Sequence, residues 1–117
     1  MAKLEAQTTF SCIHHQYCYW NEDFKNYQNC KGFDEKSLFI VSKDEKTLVY
    51  QIETLKSNFT VTDKKYNKED NIWTYLVSSS EGNQYVYFFD PNNKEIRFMP
   101  KKDEKTIVQI FSITAIY

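Results

Sequence analysis

Along this chain, short runs rich in Tyr, Phe, Val, Ile and Thr alternate with clusters of turn-forming residues. No other feature limits its fold as much. Ser80-Glu81-Gly82-Asn83, Asp90-Pro91-Asn92-Asn93, Lys43-Asp44-Glu45-Lys46 and Pro100-Lys101-Lys102-Asp103-Glu104-Lys105 are the punctuation. β-branched and aromatic residues suit a pleated, half-buried surface, and such runs joined by hairpin-length connections predict an antiparallel meander.

The reading gives about nine strands: Phe10–Trp20, Asn26–Phe33, Leu38–Val41, Thr47–Glu53, Phe59–Thr62, Ile72–Ser79, Gln84–Asp90, Glu95–Met99 and Thr106–Ile116. Asn21–Lys25 reads as a hairpin loop, Gly32-Phe33-Asp34-Glu35 as a turn, and Asp63–Asn71 as a long polar loop. In the first strand Phe10, Cys12, His14, Gln16, Cys18 and Trp20 share one face, opposite Ser11, Ile13, His15, Tyr17 and Tyr19. No segment carries apolar residues at the 3.6-residue helical spacing. A row of strands this long must bury its faces on itself, so the expected fold is all-β: a curled sheet or a small up-and-down barrel. Residues 8–117 form the single domain and residues 1–7 a flexible N-terminal segment.

Composition narrows the function classes. At 117 residues, 41% hydrophobic and 17% aromatic, the chain builds one real core rather than a disordered tail. Two glycines make no Gly-rich phosphate loop. A net charge of −1, with both signs mixed through the turns, provides no basic stripe, so direct nucleic-acid binding is not expected. No apolar run approaches the ~18 residues of a membrane-spanning helix. No signal-peptide core lies within Met1–Thr9, but Leu4-Glu5-Ala6-Gln7 has the small-residue look of a signal-peptidase junction.

The chain has three cysteines. Cys12, His14, Cys18 and Cys30 mimic a zinc pattern, but Cys12 and Cys18 on one strand would lie ~20 Å apart. A hairpin centred on Phe24 instead pairs Glu22 with Asn26, Trp20 with Gln28 and Cys18 with Cys30, at the separation a disulfide needs. Cys18–Cys30 is therefore the expected bridge, with Cys12 left free; the competing reading is three reduced cysteines. His14 and His15 face opposite sides of the strand. A Cys12–His14 nucleophile pair has workable spacing but no accompanying oxyanion motif. Asp44, Glu45, Asp63, Glu69, Asp70, Asp90, Asp103 and Glu104 read as solvated turn carboxylates. No catalytic residue, metal or cofactor is expected.

The aromatic excess is the candidate binding surface: Tyr17, Tyr19, Trp20, Tyr27, Trp73, Tyr75, Tyr85 and Tyr87, each offering an apolar body with a polar tip. Strand propensity also accounts for such residues.

Phe10-Ser11-Cys12, Cys18-Tyr19-Trp20-Asn21, Asn29-Cys30-Lys31-Gly32 and the segment from Phe88-Phe89-Asp90-Pro91 to Ile96-Arg97 together resemble small exported β-proteins of Flavobacterium-type bacteria. The likeness covers about residues 7–117. It implies export to a disulfide-permissive periplasmic or extracellular compartment and carries no activity. The expected function is a non-enzymatic binding or structural protein that meets a protein or small ligand through its aromatic face. The alternative is an intracellular phage or mobile-element inhibitor that blocks a host defence nuclease by protein–protein contact in the bacterial cytoplasm. A lined cavity would favour the first, and a flat patch of exposed Tyr and Trp the second.

Overall fold

The computed structural model describes residues 7–101 and 107–117. Among these, eight strands run β1 (Thr8–Asn21), β2 (Asn26–Val41), β3 (Thr47–Gln51), β4 (Lys56–Asn67), β5 (Ile72–Ser79), β6 (Gln84–Asp90), β7 (Glu95–Pro100) and β8 (Ile107–Ile116). Each pairs antiparallel with its chain neighbour, and β8 returns to β1 to close a barrel. The all-β meander expected from the sequence is what forms.

Two local readings are corrected. Gly32-Phe33-Asp34-Glu35 is not a turn, because β2 runs through it without a break and merges two expected strands. Gly32 serves a close approach: a Cβ there would meet His14 Nε2 at 2.6 Å and Gln16 Cβ at 3.0 Å. The polar stretch Asp63–Asn71 is also mostly strand, since β4 continues to Asn67 and pairs with Ile72. Its side chains are polar because they are exposed. The expected turn beginning at Pro100 falls largely outside the described residues, as does Thr106.

The barrel interior is filled by rings. Phe39 is fully buried and lies 4.7 Å from Phe111 and 5.8 Å from Tyr87, centroid to centroid; Tyr87 continues to Phe98 at 4.5 Å and Phe10 packs on Phe89 at 4.7 Å. An eight-strand barrel is just wide enough for side chains to fill. Alternation along β6 sends Tyr87 and Phe89 inward, where each buried aromatic contributes about 1.5–3 kcal/mol.

With few glycines, the hairpins depend on side-chain hydrogen bonds. Asn21, Asn67 and Asp90 each open a four-residue loop. Asn21 Oδ1 accepts from Phe24 N, Asn67 Oδ1 from Asp70 N, and Asp90 Oδ1 from Asn93 N. Each loop ends on a left-handed residue: Lys25, Asn71 and Lys94, at φ 54°, 56° and 53°. Ser42 and Ser79 lead a second type. The hydroxyl accepts from the amide four residues on, and Glu45 (φ 60°) and Gly82 (φ 87°) take the left-handed position.

Two of the carboxylates expected in solvent are buried here, Glu45 at 5% and Asp90 at 2% exposure. Burial alone would raise the Asp90 pKa. Hydrogen bonds from Asn93 and from Arg97 Nη1 (3.2 Å) outweigh that and hold it below the ordinary carboxylate value. A depressed folded-state pKa adds stability that is present above about pH 4 and lost as pH falls through the folded value. Asp90→Asn is therefore expected to cost about 1–3 kcal/mol at pH 7 and to flatten the acid limb of a plot of urea midpoint against pH. An unchanged acid limb would refute this role for Asp90.

Candidate functional site

The two barrel ends differ. At the end carrying the β2–β3, β4–β5 and β6–β7 loops, Glu45 Oε2 accepts a hydrogen bond from the Tyr75 hydroxyl at 3.0 Å, and Lys64 Nζ lies 3.6 Å from Glu45 Oε1. Trp73 packs at a tilt on Tyr66 at 4.4 Å beside a cavity of about 180 Å³ lined by Phe10, Val41, Tyr75 and Ile116. Burial first, then the Glu45 carboxylate, push the Tyr75 hydroxyl well above its usual pKa, so it stays a donor.

The other end carries the β1–β2 hairpin. There β2 runs on past Leu38–Gln51, its end pair with β3, and with β1, which among the described residues keeps β8 beside it as far as Tyr19–Ile107, forms a projecting arm. The two faces of this arm are set by an irregularity near its base. Cys12 pairs with Ile113 and His14 with Ser112, so Ile13 is an extra residue on β1. Phe10 and Cys12 point into the core before it and His15 after it, so His14 turns outward to Asp34. Cys12 and His14, two apart in sequence, end on opposite faces. The face expected for His14, Gln16 and Cys18 is corrected accordingly.

By alternation, Tyr17 and Tyr19 share the inner face with His15. His15 stacks on the core residue Phe111 at 4.1 Å and meets Phe33 at 5.0 Å and Tyr17 at 5.5 Å. The barrel's aromatic lining thus continues up the arm. On the outer face Cys18 is bonded to Cys30 and pairs across the sheet with Val108; both Cys18 and Val108 are 2% exposed and stand apart from the barrel core. The bridge forms although the hairpin register differs by one from that expected: Asn21 pairs with Asn26, Trp20 with Tyr27 and Tyr19 with Gln28. Asn29, at φ 54°, bulges as the additional residue and restores the register at Tyr17–Lys31. Asn tolerates this left-handed conformation better than most residues.

At this end of the barrel lies a mouth of about 310 Å³, walled by Tyr50, Phe59, Tyr85, Tyr87, Phe98 and Phe111, with Ser57 and Gln109 as further polar groups. None of its lining residues carries a charge at neutral pH. Burial pushes the Tyr50 hydroxyl up to about 12, with help from the Glu35 carboxylate and Cys12. Burial, then Tyr50 and Tyr85, raise Tyr87 further. These hydroxyls therefore remain protonated donors. His15 Nε2 lies 2.8 Å from Gln109 Oε1 and fixes that amide at the rim; its buried Nδ1 has no hydrogen-bond partner, with Glu35 Oε1 3.5 Å away.

The eight aromatic residues singled out in the sequence fall into separate places. Tyr17, Tyr19, Trp20 and Tyr27 are on the arm, where Trp20 and Tyr27 meet edge to face at 5.0 Å. Tyr85 is at the mouth and Trp73 at the opposite end. Tyr75 and Tyr87 are core residues, 3% and 1% exposed, because alternation in β5 and β6 turns them inward. Sequence reasoning missed Tyr50, Phe59, Phe98, Gln109 and His15. Tyr50 alone carried a signal, in the alternation of Leu48, Tyr50 and Ile52.

Among the described residues no group of three or more His, Cys, Asp or Glu is placed to hold a metal, and no helix is long and apolar enough to cross a membrane. Burial pushes the Cys12 thiol up to about 12, against a weaker lowering by Ser37. Compared with protein-family models, with characterised proteins and with solved structures, the chain matches none.

The bridge closes a loop of sequence separation 12, for which chain entropy alone gives about 3 kcal/mol. Cys18→Ser/Cys30→Ser is expected to lose about that much in chemical denaturation. Faster amide exchange should concentrate in the arm, between Tyr19 and Gln28. Uniform loss of protection across the barrel would contradict a local clamp.

Proposed function

We propose that this protein is a non-enzymatic binding protein of an oxidising, periplasmic or extracellular compartment, and that it takes a small, uncharged, ring-bearing ligand into the arm-side mouth. The observation that carries this reading is the mouth itself, an aromatic-walled cavity of about 310 Å³ without a charged lining residue. Its size lies at the lower end of the ~300–1,000 Å³ typical of ligand sites, enough for one or two rings. An ionised ligand would lose its hydration there without gaining a counter-charge. The protonated hydroxyls of Tyr50 and Tyr87 favour a ligand bearing an acceptor oxygen.

The Cys18–Cys30 bridge supports the compartment, since such bonds persist where thiols are not kept reduced. The resemblance to exported Flavobacterium-type β-proteins agrees with it. Cys12, neutral and turned away from His14, supports a binding rather than a catalytic role.

A second reading has its own support. Phe24 at the arm tip is 70% exposed and Tyr19 is 44% exposed, a surface suited to protein contact. An inhibitor of a host defence nuclease, encoded by a phage or mobile element and acting in the cytoplasm, would use this tip.

Calorimetric titration with coumarin and with coumarin-3-carboxylate separates these outcomes. Coumarin is expected to bind saturably, the carboxylate at least about tenfold more weakly, and Ser57→Trp to abolish binding by filling the mouth. Equal binding of both probes, no binding of either, or indifference to Ser57→Trp would overturn the mouth as the site.

A further inference from the structure

The barrel is closed, yet one of its strands keeps an open edge. β2 pairs with β1 along nearly its whole length, but with the short β3 only through Leu38–Val41. Among the described residues Lys31–Ser37 pairs with no strand on its other side. An open groove of about 730 Å³ follows the step, with Asp34, Glu35 and Ser37 on one bank and Gln51, Ile52 and Glu53 on the other. Such an edge presents unsatisfied backbone donors and acceptors to any extended segment.

We propose that this edge pairs antiparallel with the same edge of a second copy, in a register centred on Phe33. In that register Lys31 of each chain lies opposite Glu35 of the other, Phe33 meets its counterpart, and Gly32 lies opposite Asp34. Alternation puts Lys31, Phe33 and Glu35 on one face of β2, so the two ion pairs flank an aromatic cross-strand pair. Phe33 is 40% exposed in the single chain, and the Asp34 side chain 94%.

Charges and bulges usually guard an open edge against pairing. Here the charges are self-complementary, and most of the proposed pairing is regular strand: Lys31–Asp34 pairs in unbroken register with Tyr17–His14, and Glu35 is the first residue of the irregularity that follows. Moving the register by one residue so that Phe33 meets Asp34 sets Lys31 against Lys36 and loses both ion pairs, and moving it the other way, so that Phe33 meets Gly32, trades them for Lys31–Asp34 pairs but loses the aromatic pair. The chain's own edge is thus a better match than a strand of arbitrary sequence. The groove and the mouth share no lining residue, and the pairing does not rest on ligand binding at the mouth.

Sedimentation velocity over a concentration series tests the proposal, with far-UV circular dichroism to verify folding. The full chain is expected to dimerise reversibly. Lys31→Glu and Glu35→Lys should each weaken the dimer at least about tenfold by setting like charges opposite each other, and the double swap Lys31→Glu/Glu35→Lys should restore it. In the unmodified chain, amides of Lys31–Asp34 should exchange more slowly as concentration rises, a readout that needs no variant. A protein that stays monomeric up to ~1 mM, leaving the edge to a foreign strand or to solvent, would overturn the proposal. So would a dimer that ignores the charge swaps or whose edge amides show no concentration dependence.

Discussion

The stacking of His15 on Phe111 organises the open end of this barrel. It exists because β1 takes one extra residue at Ile13 and changes which side chains point inward. Below that point Phe10 and Cys12 feed the core; above it His15 reaches Phe111, with Tyr17 packed edge-on against His15. The same phase change sends Cys18 to the outer surface, where the bridge to Cys30 packs beside Val108 instead of competing for space in the barrel. It also separates the Cys12 thiol from the His14 ring. The irregularity at Ile13 thus sets the outward position of the clamp and separates the free cysteine from His14.

Much of the architecture could be read from the residues, for identifiable reasons. Strands β5, β6 and β7 and their connections follow simple alternation and strong turn chemistry, so Ser80–Asn83 and Asp90–Asn93 were visible as turns. Cys18–Cys30 was visible through pairing geometry. Gly32 misled because glycine beside Asp and Glu looks like a turn, while its actual role, to let His14 and Gln16 lie across the backbone, depends on a neighbouring strand. Asp63–Asn67 misled because an exposed strand is as polar as a loop.

The site was less legible than the fold. Its walls come from β3, β4, β6, β7 and β8, and no local pattern announces that Tyr50, Phe98 and Gln109 converge. The phase change at Ile13 is equally silent in sequence, since it is defined by pairing with β8 about a hundred residues away. Glu45 shows the same limit: it sits in a turn, as expected, but its carboxylate folds back over the barrel end to meet Tyr75 and Lys64.

The meander also has a kinetic side. Among the described strands, every pairing but one joins chain neighbours through a short connection, and the exception, β1 with β8, links Phe10 to Ile116. Local hairpins form on microsecond timescales, whereas closing nearly the whole chain into a ring must overcome a far larger loss of chain freedom. Assembly of this barrel therefore separates into rapid zipping of a ribbon and a slower joining of its two ends. That last joint is also where His15 first meets Phe111 and Gln109, so the rim of the mouth is fixed only when the ring shuts.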